Sequence, residues 1–442
     1  MGMKAYPSYK DSGALWIGDI PTHWTARKIK TLFRIKKEIA RKEGYNVLSI
    51  TQQGIKIKDV ESNKGQIAQS YTNYQLLNVG EFAMNHMDLL TGWVDISPFN
   101  GVTSPDYRVF IRSEENASSK YLLYTLQTCY SRKLFYGLAQ GVSSIGRCRL
   151  QATKFKNFVF PLPPTLEEQN AIVAYLDKKC AEIEELISRR QSIIERLREL
   201  KQSIIAEAVT KGLNPDVPMK DSRIPWLGKI PSHWKTEKLT AHFQFGKGLS
   251  ITKADIQEKG IPVISYGQIH SRINNGVDFN DRLIRYVDAR YKDSAPKALV
   301  NSNDIVFADT SEDVKGIGNC VRISCESDIF AGYHTIIAFN KGKINTKYWA
   351  YLFQSDNWRN QLRIRTNGVK VFSISQKNLR RCNLITPPVD EQQSIVAYLD
   401  KKCSDIDELV ARQEQIIEKL KELKTSTIAH VVTGKVDVRD AI

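Results

Sequence analysis

Paired cysteine chemistry is missing from this sequence: its seven cysteines form no Cys-x-x-Cys pair, and an odd number argues against a closed disulfide framework or a structural zinc site. No stretch approaches the roughly 18 to 20 apolar residues needed to cross a bilayer, and Met1 to Lys10 has no apolar core of signal-peptide length. These gaps predict a soluble, cytoplasmic protein with no membrane partner, no metal and no cofactor. Acid is also in deficit. Against 48 Asp and Glu stand 64 Lys and Arg, a surplus of +16 that favours a polyanionic partner through phosphate neutralisation. At 442 residues the chain exceeds what one core usually holds, so at least two domains are expected.

The chain is written twice. Glu168 to Cys180 (EQNAIVAYLDKKC) matches Glu391 to Cys403 (EQQSIVAYLDKKC) at all but two positions. The match continues from Ile183, Ile187, Ile194, Leu197 and Ile204 onto Ile406, Val410, Ile417, Leu420 and Thr427. Asp11 to Trp24 (DSGALWIGDIPTHW) pairs with Asp221 to Trp234 (DSRIPWLGKIPSHW), so four of the seven tryptophans lie in the repeat. Between these ends only traces are shared: Val47-Leu48-Ser49 with Val263-Ile264-Ser265, and Lys120-Tyr121 and Gly141-Val142 with Lys347-Tyr348 and Gly368-Val369.

The repeated end element reads as helix. Thr165 with Glu168 forms a capping-box pattern, Asp390 is placed to cap the second copy, and Gly212 and Gly434 stand near the exits. Apolar residues at spacings of three, four or seven give it a coiled-coil face. The middles mix β-rich runs (Phe158-Val159-Phe160, Ile305-Val306-Phe307, Thr335-Ile336-Ile337) with Gly, Asn, Asp and Ser breakers and a helical patch at Tyr121 to Gln127. The expected architecture is two α/β (α+β) domains, a pseudo-twofold internal repeat, separated by long helices that pair as an antiparallel coiled coil. The boundaries fall at 1–162, 163–213, 214–386 and 387–442. The helix from Ala181 to Lys211 would measure on the order of 45 Å at about 1.5 Å per residue. Two basic domains held tens of ångströms apart suit a reader of paired DNA half-sites, which lie about 34 Å apart in dimeric readers. Because the middles differ, the target is expected to be asymmetric.

The Trp226-Leu227-Gly228, Ile230-Pro231 and His233-Trp234 run, and Pro-Pro followed by Glu-Gln before an apolar helix, each present twice, resemble the specificity subunit of type I restriction-modification systems. The resemblance spans nearly the whole chain. It implies that 1–162 and 214–386 are target-recognition domains for double-stranded DNA. It implies that the helices act as a ruler and dock two modification subunits, which methylate adenine. Restriction subunits with ATP-driven translocation and cleavage would join the assembly, and no catalysis would reside in this chain.

Side chains suited to base edges and phosphates are amides and guanidiniums, with lysine on phosphate. In the first half these are Gln52, Gln53, Lys56 and Lys58, and the stretch Gln140, Ser143, Ser144, Arg147 and Arg149. In the second half they are Gln268, His270 and Arg272, and Arg363, Arg365, Asn367 and Lys370. The near-constant His23-Trp24 and His233-Trp234 read as structural, and Cys180 and Cys403 as buried small hydrophobes. For the helices, the partner-facing set is Ile172, Tyr175, Leu176, Lys178 and Lys179 with Ile395, Tyr398, Leu399, Lys401 and Lys402. The apolar members fit a core equally well.

Two other function classes fit the sequence less well. A stand-alone methyltransferase or nuclease lacks support: no Asn/Asp-Pro-Pro-Tyr/Phe run is present, and Asp313-Val314-Lys315 is half a nuclease metal motif with no paired acid before it. A coiled-coil protein scaffold fits the charge less well, and steep salt dependence of DNA binding would exclude it.

Overall fold

A computed structural model of the chain describes residues 4–60, 68–139, 148–224, 226–326, 328–342, 344–366, 368 and 371–441. It divides into two compact units, Met1–Arg190 with Gln415–Ile442, and Gln191–Glu414.

The first unit is built on an antiparallel sheet of β1 (Phe33–Lys36), β2 (Phe82–Met84), β3 (Val94–Ile96) and β4 (Arg108–Arg112), in the order β1-β4-β2-β3. Side chains alternate across it, as a strand requires. Phe82, Met84 and Phe110 face a large core with the helix Ser119–Ser131, while Ala83 and Val109 face the hairpin Leu48–Thr51/Gly54–Ile57. The Phe33 ring lies 5.0 Å from both Phe82 and Phe110 in edge-on contacts.

The second unit repeats this sheet with different residues. Its strands β5 (Phe243–Lys247), β6 (Ile305–Ala308), β7 (Cys320–Arg322) and β8 (Thr335–Asn340) run β5-β8-β6-β7, again antiparallel. Where the first unit has a hairpin, the second has a mixed sheet of four short strands in which Ile261–Ile264 runs parallel to Ile329–Ala331. The strands expected at 305–307 and 335–337, and the helix at 121–127, are present.

A first long helix spans Leu166–Lys211 and a second spans Val389–Val432. Each unit combines the start of one long helix with the end of the other. In the first unit, Glu184 pairs with Lys424; in the second, its repeat equivalent Asp407 pairs with Lys201 at 2.7 Å, and Arg198 with Glu414 at 3.2 Å. Numbers rise along one helix as they fall along the other, so the pairing is antiparallel. These ion pairs are largely exposed and worth under about 1 kcal/mol each; they mark register. The holding force is apolar burial. Val431 and Val432 are fully buried in the first core and Val209 in the second.

The two duplicated motifs meet inside each unit. Thr25–Lys28 pairs antiparallel with Val159–Leu162, and Lys235–Lys238 with Asn383–Thr386. This brings each Trp beside the start of its long helix. Trp24 Nε1 donates to Glu168 Oε1 at 2.9 Å, Tyr6 OH donates to the same oxygen at 2.9 Å, and His23 Nε2 stands 3.1 Å from both oxygens. In the second unit Trp234 Nε1 donates to Glu391 at 3.0 Å and His233 Nε2 lies at 2.8 Å. The Trp and His are therefore structural. Thr165 Oγ1 accepts from the Glu168 amide at 3.2 Å, half of the capping box, while the Glu168 carboxylate turns to Trp24 instead. Asp390 is a correction: the second helix begins at Val389, so Asp390 sits inside the first turn, where its charge suits the helix dipole. Gly212 and Gly434 follow the helix ends with φ of +78° and +72°, the left-handed exit that favours glycine. A Cβ on either would come within 3.2 Å of the Trp it abuts, Trp234 or Trp24.

Glu168 is 7% exposed and the Glu391 side chain 26%. Removing a buried charged acceptor strands its donors at about 1.5 to 3 kcal/mol. In urea unfolding, Glu168→Ala is expected to lose about 3 kcal/mol and Glu391→Ala clearly less. Equal losses, or a Glu168 loss under about 1 kcal/mol, would show that the carboxylate does not hold the frame.

Candidate nucleic-acid interface

In the first unit, Gln52 and Gln53 form the exposed two-residue tip of the hairpin, held by the Thr51–Gly54 pairing. Gln52 Nε2 donates to Thr91 O at 3.3 Å, and Lys56 Nζ donates to Gln53 Oε1 at 2.7 Å, so the exposed tip is braced by bonds within the domain. Lys58 is half-buried below it and Arg149 is exposed. Gln140, Ser143, Ser144 and Arg147 lie outside the described residues.

Near Arg149 lie two buried polar side chains that no sequence pattern marks. Arg108 and His86 are each 6% exposed and both anchor on Leu150: the Leu150 amide donates to His86 O at 3.0 Å, and Arg108 Nη2 donates to Leu150 O at 2.9 Å. Arg108 Nη1 and His86 Nδ1 have no partner among the described residues. Burial, then Arg108 and Arg149, push the His86 imidazole down to about 3, so it is neutral near pH 7. The Arg108 guanidinium, its carbon 4.8 Å from the Phe155 ring centre, is a buried positive group beneath an exposed arginine. The matching position in the second sheet is Ile336, paired with Phe307 as Arg108 is with Met84. No periodicity reveals a charged residue inside a strand.

In the second unit several of the side chains expected to meet DNA also bond within the domain. Gln268 is the third residue of a capping box, its Oε1 accepting from the Ser265 amide at 3.1 Å. His270 Nε2 lies 2.8 Å from Thr310 O and its Nδ1 3.0 Å from Asn319 Nδ2. Arg363 pairs with Asp356 at 2.8 Å and also donates to Val314 O and Asn360 Oδ1. Arg365 donates to Gln361 O and lies 5.8 Å from the Trp226 ring centre. All four side chains are half-buried and bonded within their own domain. Arg272 is exposed, and Asn367 and Lys370 lie outside the described residues.

The helix face divides the same way. Ile172, Leu176, Ile395 and Leu399 are all fully buried in their own unit's core, so these four are corrected to core residues with no surface for a partner. Tyr398, Lys178, Lys401 and Lys402 are exposed, and Tyr175 and Lys179 half-buried. Cys180 and Cys403 are 8% and 7% exposed. Among the described residues no three side chains group as metal ligands, and no helix is long and apolar enough to cross a membrane.

The family model described as type I restriction modification DNA specificity domain matches residues 21–196 and again 231–422. The chain belongs to this family and carries its domain twice. The putative type I restriction enzyme MjaX specificity subunit of Methanocaldococcus jannaschii is 22% identical over 451 residues, covering 96% of each chain. The type I restriction enzyme EcoKI specificity subunit of Escherichia coli K12 is 21% identical over 367 residues, 81% of this chain and 72% of that one. A solved chain described under complex assembly and conformational transition of the type I R-M system superposes with a TM-score of 0.64 at 16% identity, covering 93% of this chain and 98% of that one. At that identity the likeness is one of fold.

Arg363→Ala is expected to cost roughly 1 to 3 kcal/mol of stability by removing several bonds at once, whereas Gln53→Ala should stay within about 0.5 kcal/mol. Denaturant unfolding of both variants checks this; an Arg363 variant as stable as the parent would show that these bonds do not hold the domain.

Proposed function

We propose that this chain reads a two-part DNA site for a type I restriction-modification complex, one half-site per recognition domain, within 1–162 and 214–386. The helical segments 163–213 and 387–442 space the readers and dock two modification subunits that methylate adenine. Restriction subunits join the same assembly, and the chemistry belongs to these partners. One observation carries the reading: the same four-stranded sheet and the same Trp–carboxylate clasp occur twice, beneath surfaces that differ.

Those surfaces differ in chemistry as well as in sequence. The first offers the amide tip Gln52-Gln53 and, around Arg149, a basic patch with the buried Arg108 behind it. The second has its mixed sheet and Arg272. Unlike surfaces on a like frame imply unlike half-sites, and hence an asymmetric target. Direct base contacts are taken to come from the amides and arginines, whose planar groups bond two atoms of one base edge, and phosphate contacts from lysines.

Selection of bound duplexes from a random library, with the chain and its modification subunits, tests the proposal. A gapped, asymmetric consensus with halves about one helical turn apart is the expected result. Weak, salt-insensitive binding without enrichment would contradict DNA reading and favour a protein scaffold.

A further inference from the structure

A three-residue connection, Gly332-Tyr333-His334, carries the second unit's chain from the strand Ile329–Ala331 of the mixed sheet into β8 of the antiparallel sheet. Its backbone is tied at each residue. The Gly332 amide donates to Ile264 O at 2.7 Å, Tyr333 O accepts from the Tyr266 amide at 3.3 Å, and His334 O accepts from the Asp309 amide at 3.1 Å. Thr335 Oγ1 closes the turn by donating to Gly332 O at 2.6 Å. His334 is held at φ +54°, in the left-handed region that a residue with a Cβ enters only at a cost. Such a conformation persists where the surroundings over-determine it, and it clusters at ligand-contacting sites.

The His334 side chain is 57% exposed, yet its ring is fixed. Nδ1 lies 3.3 Å from Asp309 Oδ1 and 3.5 Å from Thr310 Oγ1, which itself donates to Asp309 Oδ1 at 2.7 Å. Tyr266 and Tyr333 meet the imidazole edge-on, with ring centres at 5.4 and 5.9 Å, and stand 5.6 Å from each other. A carboxylate oxygen only accepts, so Nδ1 carries the proton and Nε2 of the neutral ring keeps its lone pair. Whereas Gln268 and His270 engage polar atoms within the domain, His334 Nε2 has no partner among the described residues.

The connection between β6 and β7 supplies Asp309 and Thr310, and Thr310 O also lies 2.8 Å from His270 Nε2. In the first unit the corresponding connection, between β2 and β3, supplies Thr91 O to the tip residue Gln52 at 3.3 Å. The cluster thus stands at the end of the frame where the first unit carries its exposed amides. The strands Gly101–Thr103 and Ile329–Ala331 precede β4 and β8 alike, and each carries a parallel bridge, Val102 with Val47 and Phe330 with Val263. The first unit's turn at this place is Ser104-Pro105-Asp106-Tyr107, so the exposed chemistry differs between the units. From Asp309 to Asn319 the second unit's connection carries Asp309, Glu312 and Asp313 against Lys315 alone, a balance that disfavours phosphate and favours the edge of a base.

We infer that His334 is a base-reading residue of the second recognition domain, its Nε2 accepting from the exocyclic amine of an adenine or a cytosine in the major groove. Asp309 is a positioning residue that sets the proton on Nδ1, and Tyr266 and Tyr333 are the walls that hold the ring. An amine donor on the major-groove edge is what adenine and cytosine share and guanine and thymine lack. The inference rests on the DNA reading proposed above.

Selection of bound duplexes with the chain and its modification subunits, run on the parent, His334→Gly and His334→Asn, tests this. Glycine and asparagine accept the left-handed conformation most readily, so both variants are expected to keep the parental melting temperature. One position of one half-site, adenine or cytosine in the parental consensus, should lose about tenfold or more of its enrichment in both variants. The other half-site and the spacing stay as in the parent. A duplex whose identified base lacks the amine, purine for adenine or pyrimidinone for cytosine, should bind the parent about tenfold more weakly and His334→Gly no more weakly than the natural duplex. A parental consensus retained in full by His334→Gly would overturn the inference and leave DNA reading intact. Uniform weakening at all positions would mark a phosphate contact, and melting temperatures lowered in both variants would mark a structural histidine; either overturns it. A parent that selects no consensus would overturn the proposed function and this inference together.

Discussion

The carboxylate at the start of each long helix, buried as Glu168 and half-buried as Glu391, is the constraint on which the rest of the molecule depends. A charge in the interior is tolerated only when its lone pairs are met by donors. Glu168 is met by the Trp24 indole N–H and the Tyr6 hydroxyl, with the His23 imidazole alongside. Burial and the adjacent carboxylate raise the Tyr6 phenol far above its ordinary range, so it stays a donor. Satisfying that one group fixes the strand after Trp24 and the angle at which the helix leaves the domain. The same Trp packs on the glycine that ends the other half's helix, Gly434 in one unit and Gly212 in the other. Tyr121 and Tyr348 add the same bond in each unit, from the hydroxyl to Val432 O and Val209 O at 3.0 and 2.9 Å.

This arrangement separates what must stay constant from what is free to vary. The Trp–His–carboxylate clasp and the helix ends occur in both units with nearly the same residues, and the short strand pair occurs in both with the same pairing. The sheets between them keep their order but share few side chains, because a sheet needs only alternating burial, which Phe82-Ala83-Met84 and Ile305-Val306-Phe307 supply equally well. A DNA reader benefits from that division: affinity from phosphates needs only charge, whereas specificity needs particular groups at base edges.

The repeat, the helices and the main strands were legible in the sequence because each rests on local periodicity or on near-identity. Side-chain allegiance was not. His270 bonds to Thr310 and Asn319, some 40 and 49 residues away, and Arg363 to Val314, 49 residues away, so residue types suited to DNA turned out to be tied into the domain. Ile172 and Leu176 show the same limit, since apolar spacing is identical for a core face and a partner face. The Lys120-Tyr121 and Lys347-Tyr348 traces understated their importance: they are the contacts that bind each recognition domain to its helix.

The central claim is that two like frames carry two different readers, and exchanging the readers tests it most directly. A chain in which the segment between Trp234 and Pro387 is replaced by the segment between Trp24 and Pro163 should select, from a random duplex library, a site with two copies of the first half-site at the parental spacing. Retention of the parental asymmetric site, or a changed spacing between halves, would contradict the account.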